Sequence, residues 1–217
     1  FMASSALVAG LQGEYSEKKR LIGERLREFQ QTWKRGDGAV FAELAFCLCT
    51  PQSNAIACDA AVQELVAKKA LASGVEGRIS KTLSKRVRFH KNKTRYIVAA
   101  WKALMPGIKK MLLGIGIEEN PKAARRWLVG NVKGLGMKEA SHFLRNIGFG
   151  GELAILDRHI MRNLLRYGAI RALPKNLSEK NYCAVEEKMR RFSKRVGIPL
   201  AGLDLLFWSM ETGRVFK

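Results

Sequence analysis

Lys138 and Asp157 stand nineteen positions apart, and they are the residues of this 217-residue chain whose types and spacing could do chemistry together. Just before Lys138, Gly134 and Gly136 leave room for a tight turn with exposed backbone N–H groups, and Lys138 then starts an Ala/Leu-rich helix. A hairpin of this kind can hold a DNA phosphate on its N–H groups. An amine and a carboxylate brought together beside that phosphate could attack a sugar carbon and stabilise the charge that results.

Each of these residues also has a plainer role open to it. Lys138 could do no more than contact phosphate, as lysines of non-catalytic hairpins do. At the start of a helix, however, the positive end of the dipole and the nearby Lys133 disfavour an ammonium and favour the nucleophilic amine. Asp157 ends an Ala-Ile-Leu run and precedes Arg158-His159-Ile160-Met161-Arg162, where it can cap a helix. The two roles are compatible, because a capping carboxylate has a fixed direction. His159 reads as a structural hydrogen-bonding histidine. With three histidines in all and no metal-type spacing, no catalytic metal is expected.

The charge balance narrows the class of partner. Thirty-nine Lys and Arg stand against nineteen Asp and Glu, a net +20, which favours a polyanion and nucleic acid first. Residues 77–117 hold eleven Lys or Arg and no acidic residue, so part of one surface must be strongly positive. Cys47, Cys49, Cys58 and Cys183 form no Cys-x-x-Cys pair and read as reduced structural thiols. No apolar run has the length of a membrane span, and no signal-peptide pattern opens the chain. A cytoplasmic protein without membrane contact is expected.

These groups need helices to position them. Charged residues around Leu21, Ile22, Leu26 and Phe29 leave one apolar stripe, predicting a long helix over 14–36. Residues 39–49 are apolar enough for a buried helix ending before Pro51. Further helices are predicted over 54–69, 79–86, 91–104, 106–113, 120–131, 138–147, 158–167, 178–196 and 199–212. Short helices between Gly, Pro or Asn punctuation, with little strand-type alternation, imply an all-α fold.

Several residues outside the Lys/Asp pair have two readings. Thr50-Pro51-Gln52-Ser53-Asn54 is a Pro turn with a cap, or a loop that enters a ligand. In Arg86-Val87-Arg88-Phe89-His90, Phe89 stands among cations, suited to a stacking wedge or to the core. Asp204 and Trp208 share a helix face, and Gly213 would end that helix so that residues 214–217 fold back. Composition alone would make Trp208 a core residue and the tail a frayed end.

The wording Gly-Leu-Gly-Met-Lys followed by Leu-Asp-Arg-His-Ile-Met-Arg resembles the helix-hairpin-helix DNA glycosylase superfamily. Lys-Glu-Ala-Ser-His-Phe-Leu-Arg-Asn and the ending Leu-Asp-Leu-Leu-Phe-Trp-Ser-Met-Glu-Thr-Gly-Arg-Val-Phe-Lys resemble its second, archaeal-type family of 8-oxoguanine DNA glycosylase/lyases. The likeness runs over roughly the whole chain and is strongest from residue 130 onward. It implies two helical lobes, 1–36 plus 153–217 and 37–152, with the hairpin at the cleft between them. It makes Lys138 and Asp157 the catalytic pair of a bifunctional enzyme that flips 8-oxoguanine out of duplex DNA, releases it through a Schiff base and cuts the abasic strand.

By the same resemblance Gly134 and Gly136 hold phosphate, Gln52 enters the duplex, Phe89 is the wedge and Arg88 reads the opposite base. Asp204, Trp208 and Lys217 belong to the flipped base. Guanine N7 is an acceptor whereas 8-oxoguanine N7 carries hydrogen, so an acceptor such as a carboxylate at Lys217 can tell them apart. Carbonyls of Gly130, Val132 and Leu135 are implied to hold a monovalent cation. The cysteines lack the cluster spacing of some related glycosylases, so neither an iron–sulfur cluster nor an organic cofactor is expected. The implied protein is a prokaryotic, nucleoid-associated monomer. A glycosylase/lyase for oxidised pyrimidines and a non-catalytic DNA-binding hairpin protein are the alternatives.

Overall fold

The structure is a computed structural model that describes residues 5–105 and 107–217. Among these residues the chain is helical throughout, with no strand. The helices are α1 (Ser5–Lys34), α2 (Asp37–Cys49), α3 (Ala55–Ala67), α4 (Ala70–Ser73), α5 (Glu76–Leu83) and α6 (His90–Leu104). They continue as α7 (Ile108–Gly114), α8 (Pro121–Asn131), α9 (Met137–Asn146), α10 (Arg158–Arg166), α11 (Glu179–Val196) and α12 (Leu200–Thr212).

Polar caps fix several starts. Asn54 accepts from Ala57 N at 3.0 Å, and Asn120, followed by Pro121, accepts from Ala123 N at 3.1 Å. Gly213, at φ 79°, closes α12 in the left-handed conformation that reverses the chain. Three departures from the predicted helices stand out. The first helix begins nine residues earlier than 14 because Leu11, buried on the body, and Gln12, bonded to Val196 O at 3.0 Å, extend its stripe past Gly10 and Gly13. The short α4 was not expected. The helix expected over 79–86 begins at Glu76 and ends at Leu83, where Val87 N turns back to Leu83 O at 2.8 Å and leaves residues 84–89 as a loop.

The apolar residues gather into two clusters. One runs from Val40 to Leu153 around α2, which is buried on nearly every side; the other combines Leu11, Ile22 and Phe29 of α1 with residues from Ala154 to Phe207. The helix α1 spans both, packing on α12 as well as on α2 and α9. The chain passes from one cluster to the other through the non-helical residues 153–157, which end on Asp157. No helix among the described residues is long and apolar enough to cross a membrane.

Candidate active site

The turn between α8 and α9 exists because of one glycine. Gly134 has φ 95°, and a Cβ there would lie 2.5 Å from a ring carbon of Tyr96, so only glycine lets the turn sit on α6. Leu135 N donates to Val132 O at 3.1 Å and closes it. Gly136 N donates to Glu139 Oε2 at 3.3 Å. That bond revises one expectation: Gly136 spends its N–H inside the chain, so the donors left for an anion are those of Gly134 and the first turn of α9. The carbonyl of Val132 is likewise engaged, whereas those of Gly130 and Leu135 accept no backbone bond among the described residues. Oxygen donors of this kind suit a hard monovalent cation.

Lys138, one residue into α9, is only partly exposed. Its Nζ lies 3.5 Å from Thr50 Oγ1 and 3.6 Å from Glu139 Oε1. Asp157 caps α10, its Oδ1 accepting from His159 N and Ile160 N, both at 2.8 Å. Its Oδ2 makes no hydrogen bond among the described residues. Lys138 and Asp157 line the same open cavity of about 830 Å³. The structure thus brings a lysine amine and an uncommitted carboxylate oxygen to one space.

Five other expected residues line that cavity: Gln52, Arg88, Asp204, Trp208 and Lys217. Trp208 is half-buried and packs on Phe216 at 5.8 Å between ring centroids. The backward fold of the tail buries the Lys217 ammonium, which sits 2.7 Å from Glu43 Oε1, 2.7 Å from Asp59 Oδ1 and 4.7 Å over the Phe46 ring. Burial opposes that charge, but Glu43 and Asp59 outweigh it and hold the ammonium above its ordinary range. Asp204 is buried against Arg145 in an ion pair. Burial pushes its carboxyl up to about 6, with Asp157 adding to the rise and Arg145 opposing it. Asp204 therefore meets a ligand as a carboxylate already committed to an arginine.

The hairpin glycines and the carbonyls of Gly130, Val132 and Leu135 lie outside the cavity lining, as does Phe89. Of its two readings, Phe89 takes the exposed one: the residue is 54% exposed, and Arg88 stands over its ring at 5.6 Å. Gln52 and Phe89 are two of the three non-glycine residues with positive φ among those described, at 54° and 56°. Strained residues persist only where their surroundings enforce them. Lys93 does so here: buried, it donates to Cys49 O at 2.6 Å, Pro51 O at 2.7 Å and Ser53 Oγ at 2.8 Å. Ser53 Oγ also accepts from Arg88 N at 3.1 Å, so one clamp ties both loops.

Sequence reasoning missed Lys93, Glu43, Asp59, Arg145 and His142. Only His142 carried a local signal, since it follows Lys138 by four residues and shares its helix face. The four cysteines are free, and burial raises the thiols of Cys47, Cys49 and Cys58. On the basic surface Lys85 and Arg86 find an acidic partner after all, Glu64 of α3, at 3.8 and 2.5 Å.

A sequence model of a family described as 8-oxoguanine DNA glycosylase matches residues 22–198. An 8-oxoguanine DNA glycosylase/AP lyase of Fusobacterium nucleatum is 40% identical over 206 residues, 94% of each chain. One of Methanocaldococcus jannaschii is 36% identical over 202 residues, 93% of this chain and 94% of its own. The crystal structure of the Methanocaldococcus jannaschii 8-oxoguanine glycosylase/lyase, in complex with a 15mer DNA containing 8-oxoguanine, superposes with a TM-score of 0.88 at 33% identity. That match covers 98% of this chain and 100% of the other. By its sequence, its helix-hairpin-helix fold and the lysine and aspartate at its cavity, this chain belongs to the 8-oxoguanine DNA glycosylase family.

Proposed function

We propose that the chain is a bifunctional DNA repair enzyme that excises 8-oxoguanine from duplex DNA and cleaves the abasic strand. The observation that carries this reading is the opening of Lys138 and the uncommitted oxygen of Asp157 onto one cavity. A base within the stack is out of reach, so the nucleotide leaves the helix and its base enters the cavity. The Lys138 amine attacks C1′, the bond from C1′ to N9 breaks, and the base departs with a proton. Asp157 stabilises the positive charge that builds on the sugar as that bond opens. Loss of a proton from Lys138 Nζ and opening of the sugar ring leave an imine. The imine acidifies the C2′ proton, whose removal expels the 3′ phosphate by β-elimination.

The remaining groups bind and orient. Gly134 and the first turn of α9 take a phosphate; Gln52 and Phe89 occupy the space the nucleotide vacates, and Arg88 lies nearest the opposite base. Trp208 offers a stacking face, with Asp204 and Lys217 bounding the base site. A monovalent cation on the carbonyls of Gly130 and Leu135 would add positive charge beside the bound phosphate. The chemistry asks for no organic cofactor. The two apolar clusters support a division into lobes 1–36 plus 153–217 and 37–152, acting as a monomer on nucleoid DNA.

Borohydride trapping on an 8-oxoguanine duplex, with an oxidised-pyrimidine duplex as control, tests the reading. The wild-type protein should give a covalent adduct with 8-oxoguanine and little with the control. Lys138→Gln should lose the adduct and strand scission while keeping DNA affinity, because many other cations remain. Undiminished scission by Lys138→Gln would overturn the assignment of the nucleophile.

A further inference from the structure

One buried cation takes no part in the proposed chemistry. Lys93 on α6 is 4% exposed and lies outside the cavity lining, so its ammonium can reach neither a sugar nor a phosphate. Burying a charge is costly unless its donors find acceptors. Here each does: an ammonium has three N–H groups, and they go to Cys49 O, Pro51 O and Ser53 Oγ at 2.6, 2.7 and 2.8 Å. A neutral amine has one N–H fewer, so the charged form alone completes the set.

Those acceptors belong to one loop, and the same lysine holds a second. Its backbone N–H donates to Phe89 O at 3.2 Å, and Ser53 Oγ accepts from Arg88 N at 3.1 Å. Gln52 thus stands between two residues bonded to the ammonium, and Phe89 is bonded to the lysine main chain. Both take the left-handed backbone that residues with side chains rarely adopt. The clamp sets the direction of Gln52 and Arg88, which line the cavity, and of the exposed Phe89 as a single unit.

We propose that Lys93 is a positioning residue: its buried ammonium locks the loops of Gln52 and Arg88 into one rigid wedge that enters the duplex where the nucleotide has left. The inference rests on the proposed function, which sends these loops into the opened duplex. It makes recognition of the vacated site depend on a lysine that never touches DNA. The lock counts at that step, because loops that have to be ordered on binding lose affinity to the ordering.

Fluorescence anisotropy on an undamaged duplex and on a duplex carrying a tetrahydrofuran abasic analogue, which cannot be cleaved, provides the test. The wild-type protein should prefer the abasic duplex. Lys93→Met keeps an unbranched side chain and removes the ammonium; it should cut that preference by about tenfold or more. Ser53→Ala leaves the ammonium two acceptors and removes the bridge to Arg88. It should cut the preference by about 2- to 10-fold, and it decides the matter alone where Lys93→Met does not fold. Affinity for the undamaged duplex and its salt dependence should hold in both variants, because exposed cations supply them. Full preference in folded Ser53→Ala, or an equal loss on both duplexes, would overturn the role. A wild-type protein without the preference would instead overturn the loop insertion in the proposed function, and this inference with it.

Discussion

Two polar networks cross between the apolar clusters, and they are built in opposite ways. In the seam behind the cavity, Arg125 makes bonds of 2.6 and 2.9 Å to Glu186 and one of 3.0 Å to Ser141 Oγ. Glu186 Oε1 also accepts from Ala154 N at 2.8 Å, while Tyr182 OH donates to Ala154 O at 2.6 Å and accepts from Leu156 N at 3.2 Å. Apart from Arg125 Nε, its buried polar atoms are paired. In the cavity, by contrast, Asp157 has an oxygen without a hydrogen bond among the described residues and Asp204 keeps its charge at a cost. A finished network holds a shape, whereas an unfinished one waits for something to bind. The seam also shows how the first serves the second. It grips residues 154–156, which have no sheet to hold them, and so sets Asp157 at the cavity that Lys138 also lines.

The sharpest way to break this contrast is to unpair the seam. Glu186→Gln leaves the Arg125 guanidinium buried without its counter-charge, a loss of about 3–5 kcal/mol. For a chain of this size that is a fall in Tm on the order of 10 °C. Differential scanning calorimetry would measure it. At a temperature where the variant stays folded, trapping on abasic DNA should persist. Loss of trapping by the folded variant would mean that the seam is part of the chemistry and not its scaffold.

Asp157→Asn should do the reverse. Asparagine caps helices as well as aspartate, so stability should change by only a few tenths of a kcal/mol. The charge beside the sugar is lost, and base release should slow by about 10²- to 10³-fold. Single-turnover excision and thermal melting of the same preparation would separate the two effects. If excision fell only as far as the melting temperature accounts for, Asp157 would belong with the seam.

Local pattern made one side of this comparison legible and hid the other. The glycines at 134 and 136, the start of α9 and the cap at Asp157 are encoded within a few residues of each other, so the turn, both helices and the candidate pair can be read directly. Gly213 announces the reversed tail in the same way. Arg125 and Glu186 stand 61 positions apart, Lys93 and Cys49 44, and Lys217 and Glu43 174. Nothing in the pattern of either partner names the other, because such pairs are chosen by packing. Phe89 shows a second limit: an aromatic among cations fits the core or the rim equally well, and what decides is the left-handed backbone that the Lys93 clamp enforces on its neighbours. His142 was within reach of helical spacing, but an isolated histidine on a helix reads as a core residue until its place in the cavity lining is seen.

The smallest effect expected concerns the basic surface, where Glu64 stands between Lys68, Lys85 and Arg86. Hydrogen bonds from Lys68 and Arg86 hold its carboxyl down, from 4.5 to about 2. A depressed carboxyl stabilises the fold above its unfolded value, so this contribution is present above pH 4.5 and is lost as pH falls through about 2. Glu64→Gln should therefore lower Tm slightly at pH 7, with the difference from wild type closing between pH 4.5 and 2. On DNA the sign reverses. Removing the carboxylate frees Lys85 and Arg86, so affinity for undamaged duplex should rise and the slope of log affinity against log salt should steepen by up to about 0.9, the share of one phosphate. Fluorescence anisotropy across a salt series would read both changes. An unchanged slope would place Lys85 and Arg86 off the DNA path and leave the contact surface to cations of the cavity lining such as Arg88, where the loops of Gln52 and Phe89 are clamped together.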